Sequence, residues 1–195
     1  MTLLTIGRGG RYLRVADPDW DDPLSGEFAR ERGGRWNPPG SFPVVYLNGD
    51  ARVGRANLLH RFAGLPYGPE DLDPPAAPLL VSTTVPDGRY VDVVTDDGCR
   101  AASLAPSYPL DVAGTTVPHE TCRPIGLVAW EAGHPGIACR SAAPGAPADG
   151  EELAYFTRGV ALTPTAVQTF EEWFWGPSYR DRSRRRRRDR EGRTA

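Results

Sequence analysis

Gly33-Gly34-Arg35-Trp36-Asn37-Pro38-Pro39-Gly40, followed closely by Pro43-Val44-Val45-Tyr46-Leu47, is the stretch on which the reading of the chain turns. Two adjacent glycines let the backbone take positive φ or approach another group closely, and Pro-Pro-Gly sets the exit of the loop. The valine-rich run behind it, ended by Asn48-Gly49, reads as a short strand. Arg35 is held between the two turns, and its planar fork suits a phosphate or a carboxylate. Local chemistry alone fits a surface loop with a solvated arginine equally well.

Working outward, Leu3 to Ile6 and Arg11 to Val15 read as short strands separated by a Gly9-Gly10 turn. Asp17 to Ser25 is loop, and Glu27 to Arg32 is one helical turn that feeds the opening stretch. Asp50 caps a helix over 51–62, in which Val53, Ala56, Leu59 and Phe62 recur at helical spacing. The proline-rich segment 65–78 is a loop or lid. Leu79 to Val85 and Tyr90 to Val94 are strands on either side of a Pro86-Asp87-Gly88 turn. A short helix over 96–104 and a longer one over 119–132 follow, with irregular chain between them. Gly136 to Ser141 and Leu153 to Phe156 are strands, and 165–175 reads as a final amphipathic helix with Val167, Phe170, Phe174 and Trp175 apolar. Strands and helices mix without a βαβ rhythm, so the fold class is α+β.

Length and composition bound what such a chain does. The 195 residues suffice for one domain with a substantial core. A charged fraction of 25% and a hydrophobic fraction of 39% fit a soluble globular protein. No apolar run reaches the roughly 18 residues of a membrane span, and no signal core follows Met1. Cys99, Cys122 and Cys139 are odd in number and irregular in spacing, so neither disulfides nor a zinc site is expected, and a reducing cytoplasm is. His60, His119 and His134 lack metal-ligand spacing, so no metal is expected. A Walker loop, a G-x-G-x-x-G turn and a G-x-S-x-G elbow are all missing; Ser141 stands between Arg140 and Ala142. The segment 180–195 carries nine arginines against Asp181, Asp189 and Glu191, a balance of +6 in a chain of net charge −2. It reads as a disordered tail, through which alone nucleic acid or an acidic partner would be touched.

Three blocks together resemble the RES domain family: Gly33 to Asn37 with Pro39-Gly40 and Val45-Tyr46, the helix 51–62, and Gly136 to Ala142 followed by Leu153 to Phe156. The resemblance implies a single α+β domain over 11–176 like that of ADP-ribosyltransferases, with mixed short strands and a few helices. Residues 1–10 then form an N-terminal strand and turn, and 177–195 the arginine-rich tail. It further implies a toxin that consumes NAD as its substrate by phosphorolysis, hydrolysis or ADP-ribosyl transfer at the nicotinamide-ribose bond, and a small helix-turn-helix antitoxin as partner, with no role for a membrane. Arg35 would hold the NAD diphosphate, aided by Trp36 and Asn37; Tyr46 would line the nicotinamide end, and Ser141 would bind ribose or phosphate.

The family's glutamate, expected on the helix after the tyrosine strand, is replaced here by Asn57. Breaking a glycosidic bond builds positive charge on the sugar, which a carboxylate stabilises and an amide does not. Asp50 lies about 10 Å along the helix axis from Asn57 and reads as its cap. Glu120, Glu151 and Glu152 qualify if the fold brings them in. Three readings therefore stand: an active NAD-consuming enzyme, a catalytically weakened domain that binds NAD or another nucleotide, and a nucleic-acid or partner-binding module that acts through its tail.

Overall fold

The structure is a computed structural model that describes residues 2–176. The strands are β1 (Thr5–Ala16), β2 (Val44–Asn48), β3 (Leu79–Val93), β4 (Gly136–Arg140), β5 (Glu151–Phe156) and β6 (Pro164–Gln168). The helices are α1 (Glu27–Arg32), α2 (Ala51–Arg61), α3 (Asp96–Ala101) and α4 (His119–Glu131). The strand order is β1-β2-β5-β4-β3-β6, and β1 also pairs with β3, so five strands close into a ring with β6 outside it. Pairing is antiparallel except between β3 and β4, which run parallel from Val91↔Ile137 to Val93↔Cys139.

The alternation of side chains along each strand sorts the core into layers. Tyr12, Val45, Leu47, Val81, Tyr90, Ala138, Leu153 and Tyr155 come from all five ring strands and fill the interior of the ring. The opposite faces of β2, β5 and β4, with Val44, Phe156, Ala154, Ile137 and Cys139, pack against Trp36, Phe42 and the buried side of α4. Leu13, Val15 and Leu80, on the outer faces of β1 and β3, meet Leu58 of α2 and Phe170, Trp173 and Phe174.

Three sequence expectations change. The glycine pair near the N-terminus is a bulge, with Gly10 at φ 82° and a register shift between Arg8 and Gly10, so β1 runs unbroken through residues 5–16. The same bulge takes up Pro86 and Asp87, and β3 likewise continues as one strand. Residues 165–168 are not helical: their β-branched alternation, Thr165 and Val167, extends β6 along β3 from Leu80↔Gln168 to Thr83↔Pro164. The aromatic residues that follow form a short π-helical turn, Glu171–Trp175, on which Arg55 of α2 docks, its guanidinium 4.4 Å from the Phe174 ring. In α2 the buried face is Val53, Gly54, Ala56 and Leu58, whereas Leu59 is 44% exposed. The arginine-rich tail at 177–195 lies outside the described residues.

One contact sets how α4 lies. Gly126 stands over the opening loop so closely that a Cβ there would sit 1.6 Å from the Trp36 carbonyl oxygen. That oxygen is backbone and cannot swing aside. Gly126→Ala is therefore expected to lower stability by at least the ~1–3 kcal/mol typical of overpacking, read as a lower midpoint in chemical denaturation. An unchanged midpoint would mean that helix and loop do not touch.

Candidate functional site

The opening loop is locked from within. α1 stops at Gly33, whose φ of 75° turns the chain while its N–H bonds back to the Ala29 carbonyl. The Asn37 amide donates to the Ala29 and Phe42 carbonyls at 2.6 and 3.2 Å. The Tyr46 hydroxyl donates to Asn37 Oδ1 at 2.8 Å and accepts from the Trp36 N–H at 2.9 Å. Gly34 lies against the phenol ring, where a Cβ would come within 2.4 Å of the hydroxyl oxygen. Trp36 and Asn37, at 1% and 0% exposure, thus hold the loop.

What the lock presents is Arg35. One guanidinium nitrogen donates to the Val117 carbonyl at 2.8 Å and lies 4.0 Å from the Cys122 sulfur. Among the described ion pairs no carboxylate neutralises it. The start of α4 closes the same corner. No side chain caps its N-terminus, and Arg123 donates to the Gly34 carbonyl at 3.1 Å. Burial, followed by the charges of Arg35 and Arg123, lowers the proton affinity of His119. The corner therefore gathers two guanidiniums, a neutral imidazole and free helix N–H groups, which together favour an anion.

Behind Arg35 the floor is uncharged but polar. Tyr108 is 1% exposed, and its hydroxyl, near the Cys122 thiol, has no geometrically good hydrogen-bond partner among the described residues. Burial pushes the Cys122 and Cys139 thiols upward, so both are protonated at neutral pH and neither is a thiolate nucleophile.

The register of the ring places an acidic group beside this floor. Asn48, Glu152 and Cys139 lie in one row across β2, β5 and β4, on the face that also carries Tyr46. The Ser141 hydroxyl, just past the end of β4, donates to Glu152 Oε1 at 2.6 Å. From α2 the Asn57 amide donates to the same oxygen and to Asn48 Oδ1, both at 2.9 Å. Two of the sequence candidates, Asn57 and Ser141, are thus joined through a third residue.

The other acids considered from sequence go elsewhere. Asp50 caps α2, accepting from the Arg52 and Val53 N–H groups at 2.7 and 3.0 Å. Glu151, one residue from Glu152 and so on the opposite face, pairs with Arg8 at 2.7 Å and accepts from Tyr12. Glu120 is largely exposed and 3.6 Å from Arg123. Nothing in the sequence separates Glu151 from Glu152; the strand register does. Tyr108, His119 and Arg123 also escaped sequence reasoning, since they lie far along the chain from Arg35. A hollow elsewhere, lined by Arg14, Asp19, Trp20, Asp21, Asp22, Ser25 and Phe28, offers anions little. Arg14 at its floor is engaged by the Ser25 carbonyl and the Trp20 ring, and burial brings its pKa down to about 10.

Comparison with known proteins identifies the family. A family model described as the RES domain matches residues 11–175. The NAD(+) phosphorylase MbcT of Mycobacterium bovis and that of Mycobacterium tuberculosis are each 33% identical over 111 residues, or 56% of this chain and 55% of the relative. The chain thus spans about half the length of the curated relatives it matches. The crystal structure of the M. tuberculosis MbcT-MbcA toxin-antitoxin complex aligns with a TM-score of 0.67 at 25% identity, over 87% of this chain and 91% of that one.

Whatever occupies the corner, the lock is open to a direct test. Tyr46→Phe leaves the Trp36 N–H and Asn37 Oδ1 without their partner, at an expected cost of about 1–3 kcal/mol in unfolding free energy. A urea midpoint equal to that of the wild type would show that the hydroxyl is not what holds the loop.

Proposed function

We propose that this chain, which belongs to the RES domain family, consumes NAD by phosphorolysis of the bond between nicotinamide and ribose. The observation that carries the reading is the unneutralised Arg35, whose loop is bonded to Tyr46 on the same sheet face that carries Glu152, the residue joining Asn57 to Ser141. A dinucleotide is an elongated anion with a cationic pyridinium ring at one end. Arg35, with Arg123 and the start of α4, holds its diphosphate by charge-assisted hydrogen bonds. The phenol of Tyr46 lines the nicotinamide end, and Ser141, whose hydrogen goes to Glu152, accepts from a ribose hydroxyl. Cleavage breaks the C1–N bond, and the electron pair departs with a neutral nicotinamide. A phosphate oxygen forms the new C1–O bond, giving ADP-ribose 1-phosphate.

Support also comes from the relatives named NAD(+) phosphorylase, which the chain matches over about half their length. The solved neighbour is a toxin-antitoxin complex, and we extend an antitoxin partner to this chain, which the family resemblance makes a small helix-turn-helix protein. Three free cysteines fit the reducing cytoplasm in which NAD and phosphate are available. Asn57 by itself favours a second reading, in which NAD is bound and not cut.

Incubating the protein with NAD and phosphate is expected to release nicotinamide in step with NAD loss, and to stall without phosphate. Arg35→Ala is expected to lower kcat/KM by about 10- to 100-fold, corresponding to the ~1.5–3 kcal/mol of a hydrogen bond to a charged group. NAD loss no faster than in Arg35→Ala would overturn the reading, and calorimetric binding without loss would select the second one.

A further inference from the structure

We propose that Glu152 is the catalytic carboxylate of this site, supplied from the sheet and not from α2, and that Asn57 is the neutral residue that positions it. The proposal rests on the NAD-cleaving reading above and adds the group that makes cleavage fast.

Glu152 has the arrangement such a role needs. Its Oε1 accepts from Ser141 and from Asn57, both uncharged donors. It takes part in none of the described ion pairs, so no cation cancels its charge. Its Oε2 accepts none of the described hydrogen bonds and is left for a ligand. The side chain is half-buried on a strand, not on a loop, and so is held in place without being sealed from solvent. Glu151 makes the contrast: it is spent on Arg8 and Tyr12 at the other face of the same strand.

Asn57 is explained by the same geometry. Its amide spends its hydrogens on Asn48 Oδ1 and Glu152 Oε1, while Asn48 is itself tied to the Leu13 carbonyl at 3.2 Å. A chain of amides therefore runs from β1 to the carboxylate and fixes its rotamer. A carboxylate at position 57 would face the Glu152 carboxylate across a hydrogen-bond distance, and two like charges so close oppose each other. The neutral amide is what the neighbouring acid requires.

In the reaction Glu152 is not consumed. As the C1–N electron pair leaves with nicotinamide, the ribose ring gains positive charge, and the Oε2 carboxylate faces it until a phosphate oxygen closes the new bond. Ser141 and Asn57 keep the carboxylate aimed throughout.

The test is steady-state turnover of NAD with phosphate by the full chain, paired with calorimetric NAD binding. Glu152→Gln keeps an acceptor for Ser141 and Asn57 and removes only the charge. It is expected to lower kcat by about a thousandfold, equivalent to about 4 kcal/mol of transition-state stabilisation, with the Kd for NAD within about threefold of the wild type. Asn57→Glu is expected to lower kcat as well. Glu151→Gln, on the opposite face, is expected to lower the melting temperature while leaving kcat within about threefold. A Glu152→Gln enzyme that turns over at the wild-type rate would overturn the proposal while leaving NAD cleavage standing, as would a gain of activity in Asn57→Glu. A wild type that does not cleave NAD would overturn both.

Discussion

The Tyr46 hydroxyl accepts from the Trp36 N–H and donates to Asn37 Oδ1, and the placement of Arg35 follows from those two bonds. Arg35 sits in a glycine-rich loop that has no regular structure of its own. The two residues that follow it are pinned to β2 through one phenol, and the phenol in turn requires Gly34 beside it. On the far side the loop backbone lies on Gly126 of α4, which brings Cys122, Arg123 and His119 to the same corner. The Arg35 cation is thus fixed by uncharged contacts that leave its charge without a described counter-ion.

The opposite end of the site depends on sheet register. Adjacent residues on a strand face opposite ways, and Glu151 and Glu152 show what that means chemically. The first closes an ion pair with Arg8 at the ring. The second stands in a row with Asn48 and Cys139, where α2 and the end of β4 each lend it a hydrogen bond. A shift of one residue in the pairing of β5 would exchange the two, leaving the site without its carboxylate and Arg8 without its partner. The register of β5 is therefore a functional constraint as well as a packing one.

Much of this was legible in the sequence, for physical reasons that can be named. The helix at 51–61 announced itself through Asp50, whose carboxylate caps it, and the loop before β2 through its glycines and prolines. Arg35, Tyr46, Asn57 and Ser141 could be picked out because they stand in ordered blocks, and the last two meet through one carboxylate. Trp36 and Asn37 read as ligand residues because polar and aromatic residues beside an arginine invite that reading; that both are buried and hold the loop is visible only in the fold. The turns read at Gly9-Gly10 and Pro86-Asp87-Gly88 proved to be one shared bulge, since a bulge and a turn use the same residues and only the partner strand tells them apart. Residues 165–175 carried apolar residues at helical spacing, but pairing with β3 overrode that pattern over 165–168, and only Glu171–Trp175 turns helically. Which of the candidate acids joins Asn57 was not readable at all, because it depends on the strand register and not on any local pattern.

Splitting of NAD by phosphate at the nicotinamide-ribose bond is read from its products. When the wild-type protein is followed with NAD and inorganic phosphate by phosphorus and proton NMR, a new sugar-phosphate ester signal is expected to grow in equal amount with free nicotinamide. An unchanged NAD spectrum, or nicotinamide released without the ester, would contradict it.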